Sequence, residues 1–174
     1  SRKVSWMFLF LIPLVIFGLS WRVNLDLTDG TSTRTLTWGL DPEATENYDF
    51  GIDENFPLIP PSGLYAFFPI DDPYNPYVTM LTSDIRQDTI EEHIWKGTVG
   101  GTFDPVAMTW DETSIPLGDA FIGVGTYDTE PTEWFDMTTV GELDFNPGDY
   151  FWISFTPSHS GDIDNPPFIV STYP

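Results

Sequence analysis

Residues 21–38 have the sequence WRVNLDLTDGTSTRTLTW, and this stretch decides the fold. Apolar residues alternate with polar ones at Val23, Leu25 and Leu27, which is the two-residue period of a strand with one buried face. The pair Asp29-Gly30 is a turn signal, and the alternation resumes at Leu36 and Trp38. The stretch therefore predicts a β-hairpin whose loop is longer than two residues.

The rest of the chain continues in short runs of the same kind. Sixteen prolines and fourteen glycines divide it, and after residue 20 no twelve-residue window has the apolar spacing of an amphipathic helix. Further strands are predicted at Leu64–Ile70, Tyr77–Thr82, Glu92–Val99, Val106–Trp110, Ala120–Gly125, Trp134–Thr138, Tyr150–Phe155 and Phe168–Ser171. Strands at this spacing predict an all-β fold, an antiparallel β-sandwich that is immunoglobulin-like or jelly-roll-like, over residues 21–174.

The first twenty residues have the features of a secretory signal peptide. Arg2 and Lys3 precede an apolar run from Val4 to Leu19, and small residues stand before a cleavage point at Trp21. We expect a hydrophobic signal helix over residues 1–20 that is cleaved, so that the protein is secreted or lies at the cell surface. A retained anchor is the alternative, and only then would the protein contact a membrane. Because the chain starts without methionine, we expect a fragment of a longer protein.

Charge and composition exclude several classes of function. Six basic and 27 acidic residues give a formal net charge of −21, which opposes binding to nucleic acid. The chain contains no cysteine, so disulfides, thiolate metal sites and cysteine nucleophiles are excluded. It also lacks the serine-nucleophile motifs of hydrolases, and its carboxylates are too numerous for any pair to indicate catalysis. We therefore predict a protein that is not an enzyme.

The chain carries a series of short motifs from residue 38 to residue 137: WGLDPEAT at Trp38–Thr45, the pattern YDxGxD at Tyr48–Asp53, Asp84-x-Arg86, Trp95, TWD at Thr109–Asp111 and FDM at Phe135–Met137. In this order the motifs resemble a β-sandwich module of large secreted bacterial proteins, which often end in a type IX secretion sorting signal. The resemblance covers about residues 22–156. It implies an extracellular, non-catalytic sandwich domain without specifying a ligand.

One acidic loop is a candidate metal site. Asp49, Asp53 and Glu54 lie close together in an irregular segment, and Ca²⁺ prefers closely spaced carboxylate and carbonyl oxygens. The alternative is turn chemistry, because Asp side chains also accept hydrogen bonds from their own backbone. No cofactor is predicted, and a structural Ca²⁺ is the open alternative.

Aromatic residues outside the predicted core strands are candidates for ligand contact. Trp134 and Phe135 stand between acidic residues, and Tyr74 and Tyr77 lie in an acidic loop. Sugars stack on exposed rings of this kind. We predict a non-catalytic structural or adhesive module whose partner is an extracellular protein, a glycan or another copy of the chain. Two alternatives stay open: a carbohydrate-binding module, with or without calcium, and a self-assembling surface or filament subunit.

Overall fold

The computed structural model describes residues 20–56 and 58–158, and nearly all of their regular structure is β. The predicted signal helix and the strand predicted at Phe168–Ser171 lie outside the described residues. A single-turn 3₁₀ helix spans Glu112–Ser114. The strands are β1 Trp21–Thr28, β2 Thr33–Asp41, β3 Glu54–Asn55, β4 Tyr65–Pro69, β5 Met80–Gln87, β6 His93–Gly100, β7 Val106–Thr109, β8 Gly118–Gly125, β9 Phe135–Asp136, β10 Glu142–Phe145 and β11 Tyr150–Pro157.

The strands form one strongly curled sheet in the order β10-β7-β1-β2-β5-β4-β6-β11-β8-β9, with β3 paired to β5. The all-β prediction is confirmed. Nine of the ten strand pairs in the described residues are antiparallel, and β2 with β5 is the parallel exception. The expectation of a purely antiparallel arrangement is therefore wrong at this pair. A parallel pair needs a long crossover, and the segment that contains β3 and β4 provides it.

Strand β4 joins the two halves of the sheet. Its first three residues, Tyr65 to Phe67, pair with β6, whereas Phe68 and Pro69 pair with β5. We call β10, β7, β1, β2, β3 and β5 the first half, and β6, β11, β8 and β9 the second half. The change of partner within β4 lets the sheet curl so that the inner faces of the two halves meet.

The core lies between these inner faces. The alternating residues Val23, Leu25 and Leu27 are buried as the sequence predicts. Rings from the two halves meet directly: the centroid of Trp38 lies 5.0 Å from that of Trp95 and 6.0 Å from that of Phe155. Burial of each large apolar side chain contributes about 1.5–3 kcal/mol, so this aromatic core is the main source of stability.

Arg86 on β5 makes a polar connection between the halves. Its Nη1 donates to the carbonyl oxygen of Ile94 on β6 at 2.5 Å, and its Nη2 lies 3.1 Å from the Asp84 carboxylate. Its guanidinium carbon also lies 5.0 Å from the Trp95 ring centroid. Such a fork of donors over an aromatic ring suits arginine and not lysine.

The predicted hairpin is confirmed, and its loop is Asp29 to Ser32. Strands β1 and β2 pair from Trp21↔Leu40 to Thr28↔Thr33. One Asp29 carboxylate oxygen accepts from the backbone amides of Ser32 at 2.7 Å and Thr31 at 2.9 Å. These bonds, the Ser32 amide foremost, lower the pKa of Asp29 to about 2.

Two predicted strands differ from those observed. The strand predicted at Tyr77–Thr82 is displaced to β5, because its polar residues Ser83 and Asp84 pair with β2 on one side and are buried. The strand predicted at Trp134–Thr138 is reduced to the two residues of β9. There Asp136 accepts from the amide and hydroxyl of Thr138 and turns the chain.

Candidate ligand-binding groove

The outer faces of the two halves differ in chemistry. On the first half, β1 and β2 present hydroxyls, amides and carboxylates that bond across the strands. Thr35 Oγ1 donates to Asp26 at 2.6 Å, and Thr37 Oγ1 donates to Asn24 at 2.9 Å. These cross-strand bonds satisfy the polar side chains within the sheet.

The outer face of the second half and of β4 is aromatic. Alternation along each strand sends one set of residues to the core, so their neighbours face outward. Phe151, Ile153 and Phe155 of β11 belong to the core. The aromatic outward residues are Tyr65 and Phe67 of β4, Phe121 of β8, and Tyr150 and Trp152 of β11, and Ser154 of β11 and Lys96 of β6 are polar residues of the same face.

An open cavity of about 360 Å³ lies on this aromatic face, and we call it the ligand groove. Its lining residues are Glu92, Phe121, Glu130, Trp134 and Ser154. Phe121 is 37% exposed, and Trp134 is half-buried. Ser154 is only 9% exposed, and its hydroxyl donates to Glu92 Oε1 at 2.5 Å. Aromatic surface beside a few fixed polar groups is the usual composition of a binding site for a small molecule or a sugar.

The loop between β8 and β9 places Trp134 and Glu130 at the groove. This loop lies on the outer face of β8 because Gly123 and Gly125 have no side chains there. A Cβ atom on Gly123 would lie 2.5 Å from the Glu133 carbonyl oxygen and 2.6 Å from Pro131 Cβ. The close approach is possible only with glycine at this position.

Lys96 of β6 lies on the same aromatic face, next to the ligand groove. It pairs with Trp152, as Ile94 pairs with Ser154 of the groove. Its ammonium nitrogen lies 3.9 Å from the Trp152 ring centroid and donates to the Tyr127 carbonyl oxygen at 3.0 Å. The aromatic face thus already holds one ammonium group by a cation–π contact and a hydrogen bond.

The predicted aromatic ligand residues separate in the structure. Trp134 lines the ligand groove. Phe135, the first residue of β9, pairs with the buried Ile122 and packs against the core. Tyr74 and Tyr77 are 80% and 97% exposed in the loop between β4 and β5, and neither lines the groove. Ligand binding by Phe135, Tyr74 and Tyr77 stays a prediction.

Sequence reasoning missed four of the groove residues. Phe121, Glu92, Glu130 and Ser154 come from separate segments that only strand pairing brings together. Alternation along residues 150–155 places Ser154 on one face with Tyr150 and Trp152. No local signal connected that face to residues 92, 121 or 130.

The candidate calcium residues form a hydrogen-bonded loop. Asp53 is 8% exposed, and its two carboxylate oxygens accept from the backbone amides of Asp49 and Ile85, both at 2.7 Å. Burial raises the pKa of Asp53 to about 6 despite these bonds. The Asp49 carboxylate accepts from the amide and hydroxyl of Thr45, and Glu54 is exposed on β3.

This geometry gives the loop carboxylates a structural role as hydrogen-bond acceptors. Among the described residues, no group of three or more His, Cys, Asp or Glu side chains is placed to hold a metal ion. Calcium binding at Asp49, Asp53 and Glu54 stays a hypothesis.

A second cavity of about 340 Å³ lies beside the polar outer face, between β1 and residues Thr109 to Ser114. Its one aromatic residue, Trp110, is buried and donates to the Met137 carbonyl oxygen. Asp111 at its wall caps the 3₁₀ helix through the Thr113 amide. With its aromatic ring buried, this cavity offers less stacking surface than the ligand groove.

Comparison with protein-family models, with curated proteins and with solved structures finds no match to this chain. The resemblance to modules of secreted bacterial proteins therefore stays a hypothesis. The part of the chain that the structure describes holds no helix with the length and apolarity needed to cross a bilayer.

Proposed function

We propose that this chain is a non-catalytic, extracellular β-sandwich module that adheres to glycans through the ligand groove. The two halves of the curled sheet would be the two layers of the sandwich. The ring contacts of Trp38 with Trp95 and Phe155 support this part of the proposal, because they join the inner faces of both halves. Secretion is supported by the signal-like sequence of residues 1–20.

The composition of the ligand groove is the observation that carries the proposal. The apolar face of a hexose stacks on exposed rings such as Trp134 and Phe121. Its hydroxyl groups need acceptors, which the carboxylates of Glu92 and Glu130 provide. The bond from Ser154 to Glu92 fixes one acceptor in advance, which reduces the entropy cost of binding.

An array of immobilised glycans, probed with the purified protein in the presence and absence of Ca²⁺, tests the proposal. We expect binding to at least one glycan, and we expect Trp134→Ala to weaken it by about tenfold or more, equivalent to about 1.4 kcal/mol. Tyr77→Ala is the matched control, because Tyr77 is equally aromatic, is 97% exposed and lies outside the groove. Absence of binding to every glycan, or equal loss in both variants, would contradict glycan adhesion.

The same material tests the non-catalytic part of the proposal. Incubation of each bound glycan with the protein should release no new reducing ends. Release that Glu130→Gln abolishes would instead identify a glycoside hydrolase, in which a carboxylate acts as acid or nucleophile.

The self-assembling subunit is the weaker alternative. Strand β10 lies at one end of the strand order and carries the exposed residues Glu142 and Asp144. Like charges along an edge strand oppose pairing with a second copy. Light scattering from the full chain should therefore report a monomer.

A further inference from the structure

We propose that the ligand groove selects a cationic amino sugar, a hexose with a free ammonium group, over neutral and anionic sugars. This inference depends on the proposed glycan adhesion and specifies its ligand class.

The charge of the groove is the first argument. Glu92 and Glu130 line it, and none of its described lining residues is basic. The chain as a whole carries a formal charge of −21, so its field adds to the local attraction for a cation. An ammonium beside one of these carboxylates is attracted more strongly at the protein surface than in bulk water, because the effective dielectric constant is lower there. A uronic acid or a sulfated sugar would be repelled by the same groups.

Lys96 is the second and independent argument. The ammonium group of Lys96 lies next to the groove on the same aromatic face, 3.9 Å from the centroid of the Trp152 ring. The same ammonium group donates a hydrogen bond to the backbone carbonyl oxygen of Tyr127. The ligand groove likewise combines aromatic rings, those of Trp134 and Phe121, with oxygen acceptors. Its acceptors are carboxylates, and the cation that they attract must come from a ligand.

The arrangement of Glu92 is the third argument. Ser154 is nine-tenths buried, and its hydroxyl holds the Glu92 carboxylate against the groove wall. A carboxylate that is already positioned loses little side-chain entropy when a ligand binds. An amino sugar uses both resources at once, because its ring stacks on aromatic surface while its ammonium meets the carboxylates. Acetylation of the amine would remove the charge and with it this preference.

Calorimetric titration of the full chain with three hexasaccharides tests the inference. The ligands are the β-1,4-linked hexamers of glucosamine, N-acetylglucosamine and glucose, at a pH that keeps the amine protonated. We expect the glucosamine hexamer to bind about tenfold tighter than the other two, which corresponds to about 1.4 kcal/mol. The preference should shrink at high ionic strength, because salt screens exposed charges.

Three variants locate the effect. Glu130→Gln and, independently, Glu92→Gln should weaken binding of the glucosamine hexamer more than binding of the glucose hexamer, because glutamine keeps an acceptor oxygen for hydroxyl groups and removes only the charge. Glu142→Gln on the distant strand β10 removes the same charge outside the groove and should leave the preference intact. Circular dichroism of each variant verifies folding, and the two groove variants are alternatives if one fails to fold.

The outcomes separate the two proposals. Binding of the glucose or N-acetylglucosamine hexamer as tightly as the glucosamine hexamer overturns the inference and leaves glycan adhesion standing. Binding of none of these hexamers, together with an empty glycan array, overturns both. A hexalysine peptide that binds as tightly as the glucosamine hexamer would also overturn the inference, because the ammonium alone would then suffice.

Discussion

Replacement of Gly123 by alanine should release the loop that builds the ligand groove. The added Cβ would lie 2.5 Å from the Glu133 carbonyl oxygen and 2.6 Å from Pro131 Cβ, about 1 Å inside normal contact. Strand β8 is held by β11 on one side, so the loop must move outward. Overpacking of this kind costs about 1–3 kcal/mol, and we expect that loss in the free energy of unfolding measured in urea.

The displaced loop should also become accessible to protease. Glu133 is exposed, and a glutamate-specific protease should cleave after it faster in Gly123→Ala than in the unchanged protein, as read by intact mass. Gly141→Ala is the control, because the three atoms nearest to its new Cβ all belong to the side chain of Glu112, which can rotate away. Equal stability and equal cleavage of Gly123→Ala and the unchanged protein would refute the seating of this loop on β8.

Three further predictions concern the aromatic core, the Arg86 connection and the buried carboxyl group of Asp53. Trp95→Phe should lower the free energy of unfolding in urea by about 1 kcal/mol more than Trp38→Phe does. Trp95 Nε1 donates to the Asp84 carbonyl oxygen, whereas Trp38 Nε1 has no acceptor among the described residues. Equal losses in the two variants would contradict this reasoning. Arg86→Met should cost about 2–3 kcal/mol, since it leaves the Asp84 carboxylate without its cation, and a melting temperature within error of the unchanged protein would exclude that role. The pKa of Asp53 is raised from 3.8 to about 6, so its contribution to stability is fully present below about pH 4 and is lost as the pH rises through about 6. Asp53→Asn should remove that part of the pH dependence, about 1–2 kcal/mol between pH 4 and pH 7, and unfolding profiles with the same slope for both proteins would contradict it.

The candidate site was predictable only in part. The position of Trp134 and Phe135 between acidic residues predicts ligand contact for both, and Trp134 lines the groove. Its neighbour Phe135 fits the same local pattern, yet the pairing of β9 with β8 turns it toward the core. Which of two adjacent rings faces outward depends on the register of a two-residue strand, and sequence alternation over so short a run does not fix that register.

The parallel pair shows a similar limit in the fold. Residues Ser83 to Gln87 are too polar to predict a strand, yet they pair with β2 from Thr37 to Asp41. The Arg86 guanidinium forms an ion pair with Asp84, and this pair reduces the free-energy cost of partly burying so polar a strand. Such compensation is a contact between side chains, so local propensity does not reveal it.

The sequence by itself determined the β class, the first hairpin and the inward set of residues, because two-residue alternation and turn chemistry act between near neighbours in the chain. The acidic charge is likewise a property of composition. Only the tertiary structure decided that the outer faces differ, one polar and one aromatic, and that residues 92, 121, 130, 134 and 154 share one groove. Those juxtapositions depend on which strands pair and on the curl of the sheet, and both are set by long-range packing across the whole core.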